Sequence, residues 1–226
     1  MTWLENNWSW VVELTLQHVA LAVPASAASV VLAVPLGRLA HRQPRLRQVV
    51  LGTASVLYAI PALPLLIVIP VIFTIPLRSP LTLVIALTLY GTALLVGTAT
   101  DAFVSVDDGV RESARAMGYG RRALFWRVDL PLSVPVLLSG IRVVTVSTVS
   151  LVTIGALVGI SSLGTLLTDG FQRGITSEVV TGVVATMALA LVFDGILLAL
   201  GRALTPWQGR RRDRGRAHAV SAEVVL

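Results

Sequence analysis

Cysteine and lysine are absent from this chain, histidine occurs three times, and charged residues make up only 13% of it. The missing cysteines exclude disulfides, Cys-based zinc sites and thiol catalysis. His18, His41 and His218 are scattered, so no metal cluster is suggested. No G-x-x-x-x-G-K-S/T phosphate loop occurs, and 226 residues leave no room for a separate nucleotide-binding domain. A soluble domain of this length carries about a quarter charged residues. Here the deficit falls in long uncharged runs, at a mean hydropathy of +0.82, which is how a multi-span membrane protein reads.

Five apolar spans can be drawn. The first runs from Leu14 to Leu36 and carries Pro24 and Pro35; the second, Val49 to Ile75, holds Pro61, Pro64 and Pro70 and is expected to be kinked or interrupted. The third, Leu81 to Thr100, is uncharged and, at 1.5 Å per residue, spans about 30 Å, the thickness of a bilayer core. The fourth covers Leu132 to Gly159 with Arg142 as its only charge, and the fifth Val179 to Gly201 with Asp194 as its only charge. The start Met-Thr-Trp-Leu-Glu-Asn-Asn has no positive n-region, so the first span is expected to remain as an uncleaved anchor.

A net charge of +6 and a pI near 11 could point to nucleic acid, but the distribution of arginine argues against that partner. Fifteen arginines fall in the 38–47 loop, the 105–131 loop and the tail from 202 onward, against Arg78 and Arg173 on the other side. The positive-inside rule then places the N-terminus outside and the tail in the cytoplasm, as an odd number of spans requires. Trp3, Trp8 and Trp10 before the first span and Trp207 after the fifth suit interfacial anchoring. The expected fold is therefore an all-α membrane protein of about five transmembrane helices, in a prokaryotic inner or plasma membrane. Residues 1–13 are an extracytoplasmic or interfacial N-terminus, 14–207 the transmembrane domain, and 208–226 a basic tail attracted to anionic lipid.

The loop between spans three and four has its own local logic. Asp107 and Asp108 can cap a helix starting near Gly109, with carboxylates at its positive end. Val110, Ala114 and Met117 then form a narrow apolar stripe, flanked by Arg111, Glu112 and Arg115. Gly118 is where that helix would end with positive φ and turn sharply. Residues 121–129 predict a second short helix with Leu124, Phe125 and Val128 on one side, and Pro131 opens the fourth span.

The register of this loop is more specific than its helices. Glu112-Ser113-Ala114 is followed after three residues by Gly118, and after nine more by Val128-Asp129-Leu130-Pro131. This resembles the E-A-A, three, G, nine, I-x-L-P signature of the membrane subunits of binding-protein-dependent ABC importers, with Ser113 for the first alanine and Val128 for isoleucine. Gly140-Ile141-Arg142, Gly159-Ile-Ser-Ser-Leu-Gly164 and Leu166-Leu167-Thr168-Asp169-Gly170 look like the permeases that import glycine betaine, choline or carnitine. The resemblance covers about residues 14–207. It implies a permease subunit, not an enzyme, with a second permease subunit, two cytoplasmic ATPases that hold the ATP and Mg, and an extracytoplasmic binding protein. It also implies that Glu112, Ser113, Ala114, Gly118, Val128, Leu130 and Pro131 form the ATPase-coupling loop. Methionine and other amino-acid importers are the alternative of similar build. A secondary transporter or channel is more remote, because the sequence displays no paired intramembrane charges, filter or inverted repeat.

Arg142 lies eleven residues past Pro131, about 16 Å into the fourth span if helical. Two readings stand: an arginine snorkelling to the interface or paired with Asp101, or a residue of the translocation pathway. Asp194 reads either as an interhelical bond or as a substrate contact. The Gly155–Gly159 pair and the Ala25, Ser29, Ala33 ridge predict close helix packing, within the chain or at a dimer interface. Ile160 to Ser177 reads as an extracellular connector, either a plain loop or a short re-entrant segment. Quaternary ammonium ions are held by aromatic cages, and no box of closely spaced aromatics occurs within the spans. High-affinity selection is therefore expected from the binding protein.

Overall fold

The computed structural model describes residues 2–206, so Trp207 and the basic tail 208–226 lie outside the described residues. Helix α1 (Thr2–Arg42) runs unbroken through Pro24 and Pro35 and is about 60 Å long. The expected span of 14–36 is only its middle, and residues 2–13 continue the same helix. The second expected span is two helices, α2 (Pro44–Ala59) and α3 (Ala62–Phe73), which meet at 107°. Pro61 causes the break: it disfavours helical geometry in the residue before it, and Ile60 is extended.

Helix α4 (Pro80–Val104) starts where the Ser79 hydroxyl accepts the Leu81 N–H and Pro80 needs no donor. The 105–131 segment carries α5 (Asp108–Ala116), α6 (Arg121–Leu124) and a π turn (Phe125–Asp129) that feeds directly into α7 (Leu130–Val152). A 3-10 stretch (Thr153–Val158), α8 (Gly164–Arg173) and α9 (Thr176–Leu204) complete the described chain, which contains no strand. Among the described residues four helical segments are long and apolar enough to cross a membrane, and the bent α2–α3 pair is a fifth when counted as one broken span.

Helix α4 is the centre, packed by α1, α2, α3 and α7. Small residues let the backbones approach. Ala25, Ser29 and Ala33 of α1 are fully buried, Ser29 lies against Gly91, and Gly37 sits on Ala99. A Cβ at Gly37 would come within 2.8 Å of the Ala99 backbone carbon. The alanine–serine ridge is thus consumed inside the chain. The glycine pair is not a helix face: Gly155 accommodates Leu83 in the 3-10 stretch, and Gly159 turns at φ +84° beside Arg78. His18, buried on α1, donates Nε2–H to the Val149 carbonyl of α7 at 2.9 Å.

The 160–177 connector is no plain loop. Leu163 and Leu166 are fully buried with Val11 and Leu14 of α1, and Trp3 and Trp10 pack over them. Gly174, at φ +68°, ends α8. The described residues therefore have two dissimilar ends. One gathers Arg38, Arg42, Arg47, α5 and the π turn; the other gathers the N-terminal turns of α1, Arg78 and α8. Gly37→Val should overpack the α1–α4 seam and lower stability by about 1–3 kcal/mol. A reduced thermal midpoint of the detergent-solubilised chain checks this, and an unchanged one would mean that the two backbones do not meet there.

Candidate functional site

Helix α5 begins and ends by strong local rules. Asp107 caps it, its side chain accepting the Val110 N–H at 3.3 Å. At the other end Gly118 takes φ +86°, its N–H bonding the Arg115 carbonyl at 2.9 Å while Tyr119 N–H reaches Ala114 at 3.1 Å. These two bonds close a Schellman motif, so the chain reverses without leaving carbonyls unpaired. A β-branched residue at position 118 would meet no neighbour but would strain the backbone.

One side chain then fixes the helix to the spans. Arg111, 6% exposed, donates Nε–H to Asp129 at 2.8 Å and Nη1 to Asp108 at 2.7 Å. The same fork bonds the carbonyls of Val106 at 3.0 Å and Phe103 at 2.6 Å. It therefore caps the C-terminal end of α4, where a cation is favoured, and ties that end to the π turn before α7. Burial works against the guanidinium's charge, but the hydrogen bonds to Asp129 and Asp108 and their negative charge outweigh it and raise its pKa above the ordinary value.

The expected stripe on α5 divides between two faces. Ala114 turns inward with Arg111, whereas Val110 is 43% and Met117 71% exposed. Glu112 and Ser113 are exposed as well. On the second arm Leu124 and Asp129 are buried, and Val128, Leu130 and Pro131 are half-buried. In the π turn the Leu130 N–H bonds the Phe125 carbonyl, one residue further back than in an α-helix, directly before Pro131, which has no N–H to donate.

Asp194 makes an interhelical bond, one of its two expected readings, but its partner is Arg142, which is therefore not paired with Asp101. Arg142 donates Nε–H to Asp194 Oδ1 and Nη2–H to Oδ2, both at 2.7 Å, joining α7 to α9 by a bidentate fork. Asp101 instead faces Arg47 at 3.5 Å, at the arginine-rich end. The correction follows from helix order: α9 packs on α7 and brings Asp194 to the height of Arg142, while Asp101 lies at the far end of α4. The fork stays partly accessible, with side-chain exposures of 35% and 25%.

Sequence reasoning missed two groups. Helical spacing makes Arg111 a flank of the stripe, and the available signal for its role is the pair of aspartates it binds, Asp108 and Asp129. Glu178, in the first turn of α9, is completely buried, and neither of its carboxylate oxygens meets a donor among the described residues. Its neighbour Asp169 pairs with Arg173 at 2.9 Å. Among the described residues no cluster of histidine, aspartate and glutamate could hold a metal.

Comparison with known proteins places the chain in a family. Residues 29–207 match the family described as binding-protein-dependent transport system inner membrane component. The chain is 31% identical over 207 residues to the osmoprotectant import permease protein OsmW of Salmonella typhimurium, covering 89% of this chain and 94% of that one. It is 29% identical over 215 residues to the carnitine transport permease protein OpuCB of Listeria monocytogenes, covering 95% and 97%. To the choline transport system permease protein OpuBD of Bacillus subtilis it is 27% identical over 223 residues, covering 98% and 96%. Among solved structures, a chain of the inward-facing MetNI methionine ABC transporter has the same fold. The TM-score is 0.78 at 21% identity, over 89% of this chain and 99% of that one.

Arg111 and Asp129 should not be equivalent. Arg111→Ala strands a buried carboxylate and two carbonyls, so a loss of about 3–5 kcal/mol is expected. Asp129→Ala leaves the arginine its other three acceptors and should fall at or below that lower limit. Hydrogen exchange across residues 103–131 reads both, and equal protection in the two variants would contradict the asymmetry.

Proposed function

The chain belongs to the family of binding-protein-dependent transport system inner membrane components, and on that premise we propose that it carries an osmoprotectant such as glycine betaine, choline or carnitine across the membrane. It does so as the permease subunit of an ATP-driven importer. The observation that carries the mechanism is the Arg111-locked α5, which leaves Val110, Glu112, Ser113 and Met117 exposed on a short, rigid helix. Such a helix suits docking into a groove of a cytoplasmic ATPase, and ATP and Mg belong on that partner. The arginine-rich end then faces the cytoplasm and the N-terminus lies outside, in keeping with the positive-inside rule.

Gly118 reverses the chain, and Val128, Leu130 and Pro131 carry the second arm into α7. A push on Glu112, Ser113 and Ala114 is thereby delivered to the third and fourth spans. ATP biases two states of the permease only if they differ in their affinity for the nucleotide-bound ATPase. A second permease subunit, either another copy or a paralogue, completes the pathway, and a binding protein delivers substrate at the end holding α8.

Arg142 and Asp194 form a compact dipole on that pathway in this reading. A zwitterion offers a carboxylate to the guanidinium and an ammonium to the carboxylate, so it can compete for both partners at once. Choline offers only the cation.

Uptake of labelled glycine betaine, choline, carnitine and methionine by source cells with and without this chain tests the assignment. Loss of betaine, choline or carnitine uptake is expected; loss of methionine uptake alone would overturn the substrate and keep the importer. In the same assay Arg142→Gln, which frees the Asp194 carboxylate, should lower the ratio of betaine to choline uptake. An unchanged ratio would remove the pair from the pathway.

A further inference from the structure

A groove of about 640 Å³ opens at the arginine-rich end, between α1, the π turn and the first half of α7. Its walls are almost wholly apolar, among them Val31, Val34, Trp126 and Leu138, and the end of α9 closes it with Leu204. Among the described residues the polar exceptions are Arg38 and Arg42, and no acidic residue lines it. Arg38 is held with its guanidinium carbon 3.3 Å from the centroid of the Phe125 ring. Its Nε is buried and has no hydrogen-bond partner among the described residues. Asp129, the carboxylate of the adjoining π turn, is already committed to Arg111.

Two cations beside an apolar trough define the ligand chemistry by complementarity. A small free anion would satisfy the arginines and leave the trough empty. An apolar molecule would fill the trough and leave the charges unmatched. A molecule with an anionic head and a long apolar tail satisfies both, and the surrounding membrane supplies one in abundance. The volume is within the range of sites that enclose drug-sized ligands.

We propose that this groove binds an anionic phospholipid, its phosphate at Arg38 and Arg42 and an acyl chain along α1 and α7. The lipid bridges α1 to the π turn through Arg38, Phe125 and Trp126, bracing the segment that carries α5. The proposal rests on the arginine-rich end lying at a membrane surface. It is independent of the substrate, and its test reads lipid rather than transport.

The permease, purified with its ATPase from phosphatidylglycerol-containing vesicles, is assayed for retained phosphatidylglycerol by mass spectrometry. Wild type should retain it selectively over phosphatidylcholine. Arg38→Gln/Arg42→Gln should weaken retention by roughly fivefold for each arginine removed. Val31→Trp, which keeps both arginines and places an indole in the groove, should also reduce it, and covers the case in which the double variant fails to assemble. Arg45→Gln/Arg47→Gln, the same charge removed beside the groove, should retain lipid as wild type does. Equal loss in that control would mean diffuse surface attraction and overturn the site. Undiminished retention in both the Arg38→Gln/Arg42→Gln and Val31→Trp variants would overturn it too. So would a photocrosslinker at position 31 that captures a second copy of the chain instead of lipid.

Discussion

Arg111 puts one buried positive charge among four oxygens: the carbonyls of Phe103, in the last turn of α4, and Val106, just beyond it, and the carboxylates of Asp108 and Asp129. One side chain thereby gathers the end of α4, the start of α5 and the π turn. A lysine could not replace it, because a point charge with a flexible stem cannot hold a planar fork of this span. The consequence is mechanical. Helix α5 is exposed on its outer face yet tied to both spans, so in the proposed function a displacement at Glu112 and Ser113 is passed on to α4 and α7.

The rest of the molecule supplies rigid bodies for that displacement to act upon. Close approach of α1 and α4 over Ser29, Gly91, Gly37 and Ala99 makes one unit in which side-chain packing, not lipid-independent hydrophobic drive, holds the helices. The Ser29 hydroxyl, donating to Ala25 at 2.8 Å and lying 3.2 Å from the Thr88 carbonyl, strengthens the seam. By contrast α9 touches α7, α8 and, more lightly, α1, and leaves much of its apolar surface uncovered, including Val183, Met187, Leu191 and Ile196. The Arg142–Asp194 fork thus joins a well-packed helix to a sparsely packed one.

Much of this organisation was legible in residue order. Long apolar runs marked the spans, the prolines at 61, 64 and 70 marked the second as kinked or interrupted, and the spacing from Glu112 to Pro131 marked the segment between the third and fourth. Gly118 was readable because a sharp turn after an amphipathic helix needs positive φ. What escaped was everything set by contact between distant segments. The Arg142–Asp194 pairing depends on the height at which α9 crosses α7, and no local pattern encodes it. Arg111 looked like a solvated flank because helical spacing alone does not say which side faces the spans. The burial of Glu178 and the helix within 160–177 were hidden by glycines that read as loop but in the structure permit close packing, as Gly170 does against Glu178 and Val179.

The widened turn at Phe125–Asp129 has a geometric consequence of its own. One residue more than an α-helical turn offsets everything after it by about 100° around the axis of α7. Arg142 is oriented toward α9 with that offset already included, so its alignment with Asp194 is set in part at the arginine-rich end of the same helix. The widened turn therefore acts as a phase setting for the whole fourth span. Helical pitch alone would translate any change in that turn into a rotation of the Arg142 side of α7.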